Sequence, residues 1–382
     1  MAIYIIIYLL VLILTSLDFI NIEEKYKKIT LLCIYVILLL FRGMRWEVGT
    51  DWAQFLTCFQ NARWDNIFTY TRYDELGELM EPGYMFLNVI INHLGDYTLF
   101  LLLTNAFILG TWMYLSLKLT KKPILTFAFI LIFNLIFPIR LQLASSIICW
   151  AFYFSLKRKY LYAILVCLIA YTIHKSAMFA IPFIFIINRE LPKWMIWSLY
   201  VLSLLGEVLA DYISVIILLF TAYLPENLRD NVIGYTDALI IGYTEKSFLS
   251  NLMSVSLYFF FIYSFIKARD IIKEYIAKTN RPVHKKNLLI LNTYFNCYIF
   301  FNFFQKFFSA QMLSNFSRVA EYFTMGFAIA MVISFNYWKR YLSEGILYTL
   351  FCLYYFYKLK GLLLGTPYPD EMFPYKSVFS LW

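Results

Sequence analysis

Apolar runs of helical length recur along almost the whole chain, near residues 2–18, 29–41, 98–117, 124–139, 141–156, 160–173, 176–187, 194–212, 248–266, 288–305, 319–337 and 341–357. A bilayer core about 30 Å thick takes about 20 apolar residues per helix, and only helices or closed barrels satisfy the backbone inside it. The runs lack the ten-residue alternation of an outer-membrane barrel. The expected fold is therefore an all-α integral membrane protein: a polytopic helical bundle of about 12 transmembrane helices with outer-face loops, forming one membrane domain over residues 1–382. Composition agrees, since 62% of residues are hydrophobic and only 15% charged, where soluble domains carry about 25% charge. Met1 to Leu17 has no basic flank and no small-residue cleavage site, so it reads as a retained first helix.

Alternate connections carry the basic clusters: Lys25, Lys27 and Lys28; Lys118, Lys121 and Lys122; Lys157, Arg158 and Lys159; Arg189 and Lys193; the run Lys267 to Lys286; and Lys339 with Arg340. The positive-inside rule makes these cytoplasmic and leaves both termini outside. Outer loops then fall at about 47–97 and 213–247, a cytoplasmic basic loop at about 267–287, and an outer C-terminal tail at about 358–382. The basic loop, with Ile271, Ile272, Tyr275 and Ile276, reads as an interfacial helix on anionic lipid. The net charge of +9 follows from this topology and signals no nucleic acid. The six cysteines are scattered with no CxxC or metal-like spacing to histidine, so neither a disulfide nor a structural metal is expected. The repeat Ile233-Gly234-Tyr235-Thr236 and Ile241-Gly242-Tyr243-Thr244 reads as turn-forming, with sugar stacking as the alternative.

Charge held within a membrane is costly unless it pairs or lines water, so charged residues at the outer helix ends are the site candidates. Arg140 follows Pro138 at a turn between two short runs; it either guards a cavity mouth or snorkels to headgroups. His174-Lys175-Ser176 sits at a similar turn, as a base or phosphate ligand, or as a capped polar turn. Arg318, Glu321 and Tyr322 share one helical face, giving either a self-satisfied Arg318–Glu321 pair or an anion site. Arg45-Trp46-Glu47-Val48-Gly49-Thr50-Asp51-Trp52 combines a turn glycine, acids and aromatics, and Glu81-Pro82-Gly83-Tyr84 supplies a second carboxylate. Arginine forks suit phosphate, carboxylates suit hydroxyls and aromatic faces suit sugars. The combination points to a substrate bearing phosphate and glycan at the outer leaflet.

In that order these motifs resemble the EpsG family of Wzy-type polysaccharide polymerases. Arg45-Trp46-x-Val48-Gly49-Thr50-Asp51-Trp52 is similar to the family's Arg-aromatic-x-Val-Gly-Thr-Asp-aromatic motif. Glu81-Pro82-Gly83-Tyr84 with Leu87-Asn88, Arg140-x-x-Leu143-Ala144, His174-x-Ser176-Ala177, Arg318-x-x-x-Tyr322-Phe323 and Pro374-Tyr375 follow. Two positions depart from the pattern: Leu141 stands where members often have Gln, with Gln142 one step later, and Glu321 replaces a neutral residue.

The resemblance implies a glycosyltransferase of the bacterial cytoplasmic (inner) membrane that joins undecaprenyl-diphosphate-linked oligosaccharide repeats at its outer face. Its implied partners are that lipid-linked substrate, membrane lipid, and a chain-length regulator and flippase of the same pathway. Arg45, Arg140 and Arg318 would stabilise the departing diphosphate. Glu81, Asp51 and His174 are the candidate bases in that order, while Trp52, Tyr84, Tyr322 and Glu321 would touch substrate. No cofactor or metal is expected. The alternatives are an O-antigen-type ligase on the same substrate class, a flippase or exporter of lipid-linked oligosaccharide, and a non-catalytic membrane scaffold. Whether Arg42 belongs to the site or to the headgroups stays open.

Overall fold

A computed structural model describes residues 1–20, 22–49, 52–71, 79–134, 139–208, 248–308, 317–364 and 369–381. Asp51 and Thr50, Pro138 and the whole 213–247 loop with its repeat lie outside the described residues. Those that are described are helical, with no strand beyond two isolated bridges. The chain forms two compact units, Met1–Phe185 with Met331–Trp382, and Ile186–Ala330.

The first unit runs α1 (Ala2–Leu14), α2 (Glu24–Gly43), α3 (Trp52–Asn61), α4 (Pro82–Leu94), α5 (Tyr97–Leu119), α6 (Pro123–Phe133), α7 (Ile139–Leu156) and α8 (Tyr160–Ile173). Local chemistry sets several of these starts. Asp96 caps α5 by accepting from the Leu99 amide at 2.9 Å, and Pro82 and Pro123 occupy the first turns of α4 and α6, where a missing N–H costs nothing. Burial follows helical period: α2 hides Leu31, Ile34, Leu38 and Phe41. On α8 only Ala163, Cys167, Ala170 and Ile173 are buried, while Leu161, Leu165, Leu168 and Ile169 are exposed. A stripe of mostly small residues inward and large apolar residues outward is how a helix packs when its surroundings are as apolar as its neighbours.

The second unit contains α9 (Lys193–Val208), α10 (Phe248–Thr279) and α11 (Pro282–Phe307). Its core is aromatic, with the Tyr258 and Tyr298 rings 5.7 Å apart and Phe261 against Phe327 at 4.8 Å. Gly326 lies so close to α11 that a Cβ there would meet the Tyr298 amide nitrogen at 2.5 Å. From the second unit α12 (Met325–Trp338) leads the chain to α13 (Glu344–Leu364) in the first.

Among the described residues three segments are long and apolar enough to cross a membrane, Tyr97–Leu119, Ile139–Leu156 and Arg318–Trp338; five other apolar helical segments among them are shorter. Several expected spans have different ends. The run expected at 124–139 is helical only to Phe133, and that at 176–187 consists of two 3-10 turns, Lys175–Ala180 and Pro182–Phe185. The last one continues to Leu364, past the point where the tail was expected to begin. The basic loop is also corrected: α10 runs unbroken into it as far as Thr279. Ile271 and Ile272 are buried within the protein rather than laid on lipid, and Arg269 donates to the Leu191 carbonyl at 2.8 Å.

Candidate functional site

Glu81 is the residue at which the loop chain turns into α4. Pro82 fixes the backbone of the first helical position, and Gly83 follows because nothing larger fits: a Cβ there would lie 2.2 Å from Thr172 Oγ1 and 2.8 Å from the Thr172 carbonyl oxygen. This contact brings the start of α4 against the end of α8, where His174 breaks the helix and a 3-10 turn begins. The Glu81-Pro82-Gly83 motif is thus a device for setting one carboxylate beside one turn.

Arg140, in the first turn of α7, completes the cluster. Its Nη1 lies 2.5 Å from Glu81 Oε2, with both side chains less than a tenth exposed, and 3.0 Å from Met80 Sδ. Its guanidinium also sits 5.8 Å from the Phe55 ring centroid. The other Glu81 oxygen accepts from the Lys175 backbone amide at 3.2 Å, while Lys175 Nζ donates to the Leu79 carbonyl at 3.3 Å. His174 is 9% exposed, and its Nδ1 shares a 2.8 Å hydrogen bond with Ser176 Oγ. Three motifs far apart in sequence therefore meet, with both Glu81 oxygens engaged.

Arg45 is 4% exposed and follows α2. Burial pulls its guanidinium below the usual arginine range, and the phenols of Tyr97, Tyr4, Tyr375 and Tyr84 lie near enough to act on its charge. The C-terminal tail fastens this segment: Trp46 donates to the Lys376 carbonyl at 3.0 Å, Val378 donates to that of Met44 at 2.9 Å, and the Tyr375 hydroxyl donates to that of Phe41 at 2.7 Å. Gly49, at φ 114°, supplies the left-handed turn the motif needs before α3.

Arg42, three residues before Arg45, is the residue sequence reasoning left undecided. It is 2% exposed, bonds through Nη2 to Gln142 Oε1, and stands over the Trp112 ring at 5.4 Å. Among the described residues no carboxylate pairs with it, and its Nε and Nη1 find no hydrogen-bond partner. The Gln that is displaced by one position from the family pattern is the one holding Arg42. The i, i+3 spacing of Arg42 and Arg45 at the end of an apolar run was the signal available in sequence.

In the second unit, Arg318 is exposed at the start of a 3-10 turn, Arg318–Phe323. Glu321 is half-buried.

The three aromatic candidates are all buried. Trp52 is 8% exposed, between Trp46 at 4.8 Å and Tyr97 at 5.7 Å. Tyr84 is fully buried between Phe55 and Phe100, and Tyr322 is 1% exposed. All three rings are buried within the protein. Among the described residues no group of three or more His, Cys, Asp or Glu side chains is gathered as metal ligands are.

Compared with known proteins, the chain matches the model of the EpsG family over residues 28–377. No curated protein and no solved structure matches it.

Proposed function

The chain belongs to the EpsG family, and from that premise we propose that it is a polysaccharide polymerase, joining oligosaccharide repeats carried on undecaprenyl diphosphate at the outer face of the bacterial cytoplasmic membrane. The family match over residues 28–377 carries this reading. The buried meeting of Glu81, Arg140 and the His174 turn supports it, since charge of this kind in an apolar protein marks a site. About twelve spans with both termini outside would set this cluster at the outer leaflet. A chain-length regulator and a flippase of the same pathway are the proposed partners.

In the proposed reaction a hydroxyl of the incoming repeat attacks the anomeric carbon of the growing chain. The bond to the diphosphate oxygen breaks, and undecaprenyl diphosphate leaves as an anion. Arg140, Arg45 and Arg318 are the proposed anion stabilisers, each well-placed donor contributing about 3–4 kcal/mol to the transition state. Glu81, Asp51 and His174 are the proposed acceptors of the hydroxyl proton. A diphosphate leaves readily without a strong general acid, and the reaction needs no divalent ion, so excess chelator should not reduce it.

The test incubates the purified full chain with the diphosphate-linked repeat of its own gene cluster and resolves the products by gel. A ladder rising by one repeat, lost with Arg140→Ala and weakened with Arg140→Lys, is expected. Transfer of a single glycan to a different acceptor would replace the reading with a ligase, and movement of intact substrate across vesicles without a ladder would replace it with a transporter.

A further inference from the structure

The polar cluster heads an apolar groove in the first unit. On α7, Leu143, Ile147, Trp150 and Phe154 line it, and these lie three, seven, ten and fourteen positions after Arg140, one continuous helical stripe. On α4 the lining begins at Gly83, two residues after Glu81, and on α8 it ends at Thr172 and Ile173, directly before His174. Each of three lining stripes thus terminates in a residue of the cluster. The cluster pairs the Arg140 guanidinium with the Glu81 carboxylate, which also takes the Lys175 backbone amide, while the Lys175 ammonium is held at its edge by the Leu79 carbonyl at 3.3 Å. The groove is open: Phe86 remains 45% and Ile169 56% exposed.

We infer that this groove seats the head-proximal part of the donor's polyprenyl chain, with its diphosphate at the Arg140 and Lys175 end; the inference rests on the polymerase reading above. An apolar channel capped by surplus positive charge complements an amphiphile with an anionic head. From Leu143 to Phe154 the stripe is about 16 Å long, roughly half of a bilayer core. The groove volume is about 640 Å³, and a diphosphate offers more oxygens and charge to the guanidinium at its head than the single phosphodiester of a bulk phospholipid does.

The test uses the full chain in nanodiscs of palmitoyl-oleoyl phosphatidylglycerol with a polyprenyl diphosphate bearing a benzophenone near its head. Crosslinks on peptides spanning Leu143–Phe154 and Val166–Ile173, removed by excess undecaprenyl diphosphate but kept in added phosphatidylglycerol, are expected. Crosslinks on other helices, none at all, or equal competition by the phospholipid would overturn the groove assignment. Crosslinking needs no turnover, so it separates this inference from the polymerase reading. A second arm fills the groove with Ile169→Trp at an exposed position: KM for the undecaprenyl-linked donor should rise about tenfold, while a donor whose diphosphate carries only a methyl ester, and so has no chain to seat, is unaffected. An equal effect on both donors would mean that the substitution acts on the fold and not on the tail.

Discussion

Arg45 and Ser377 pair across a single antiparallel bridge, so the C-terminal tail is part of the scaffold that holds the buried Arg45 motif. Tyr375 anchors this contact by stacking on Phe41 at 4.7 Å and donating to its carbonyl. Tyr375→Phe removes only the hydrogen bond and should cost about 1 kcal/mol. Tyr375→Ala also removes the stacked ring and should cost about 2–3 kcal/mol. Unfolding in detergent with increasing denaturant measures both, and two variants as stable as the parent would show that the tail does not hold the Arg45 segment.

The Arg140–Glu81 pair predicts a non-additive pattern. Removing one partner leaves a buried charge uncompensated, so Arg140→Gln or Glu81→Gln alone should destabilise by about 3–5 kcal/mol. The double variant Glu81→Gln with Arg140→Gln removes both charges together and should lose less than either single change. Polymer formation should stay absent in the double variant, because an arginine in the site is gone whatever the stability. Stability from the same unfolding series, set against the glycan ladder, checks both halves. Additive losses would mean that the two side chains do not depend on one another.

Sequence periodicity made the helical class legible, and turn chemistry made the site partly legible. Pro82 and Gly83 after Glu81 and the interruption at His174 marked real helix ends, and these ends meet. Rings were harder, since the burial of Trp52, Tyr84 and Tyr322 leaves no mark in sequence, and the rings packed on the first two, Tyr97 and Phe100, come from another helix. The extension of α10 was hidden because hydropathy drops at Lys267 while helical period does not: Ile271 and Ile272 stay buried, and Lys278 pairs with Glu274 one turn away at 2.6 Å. Tail docking on Arg45 joins opposite ends of the chain, which no local pattern records.

Gly83 predicts a packing limit. Gly83→Ala would drive a methyl into Thr172 and should cost about 1–3 kcal/mol through overpacking. Thr172→Gly removes the side-chain atoms in the way, yet the Thr172 carbonyl oxygen remains 2.8 Å from the new Cβ. The double variant should therefore recover only part of the loss. Full recovery, read by thermal unfolding of the purified protein, would mean that the backbone of α8 yields.

Gln142 predicts a gain where a charge is supplied. Arg42 is buried with an amide and an indole face as its company, so Gln142→Leu leaves the guanidinium without its acceptor and should cost about 1–3 kcal/mol or more. Gln142→Glu puts a counter-charge at the same place and should be at least as stable as the parent. Position matters as much as chemistry: exchanging residues 141 and 142, by Leu141→Gln with Gln142→Leu, rotates the amide by about 100° around α7 and away from Arg42. That exchange should destabilise as much as Gln142→Leu alone. Parent-like stability of the exchanged variant, in the same denaturant series, would show that either register of the glutamine serves Arg42.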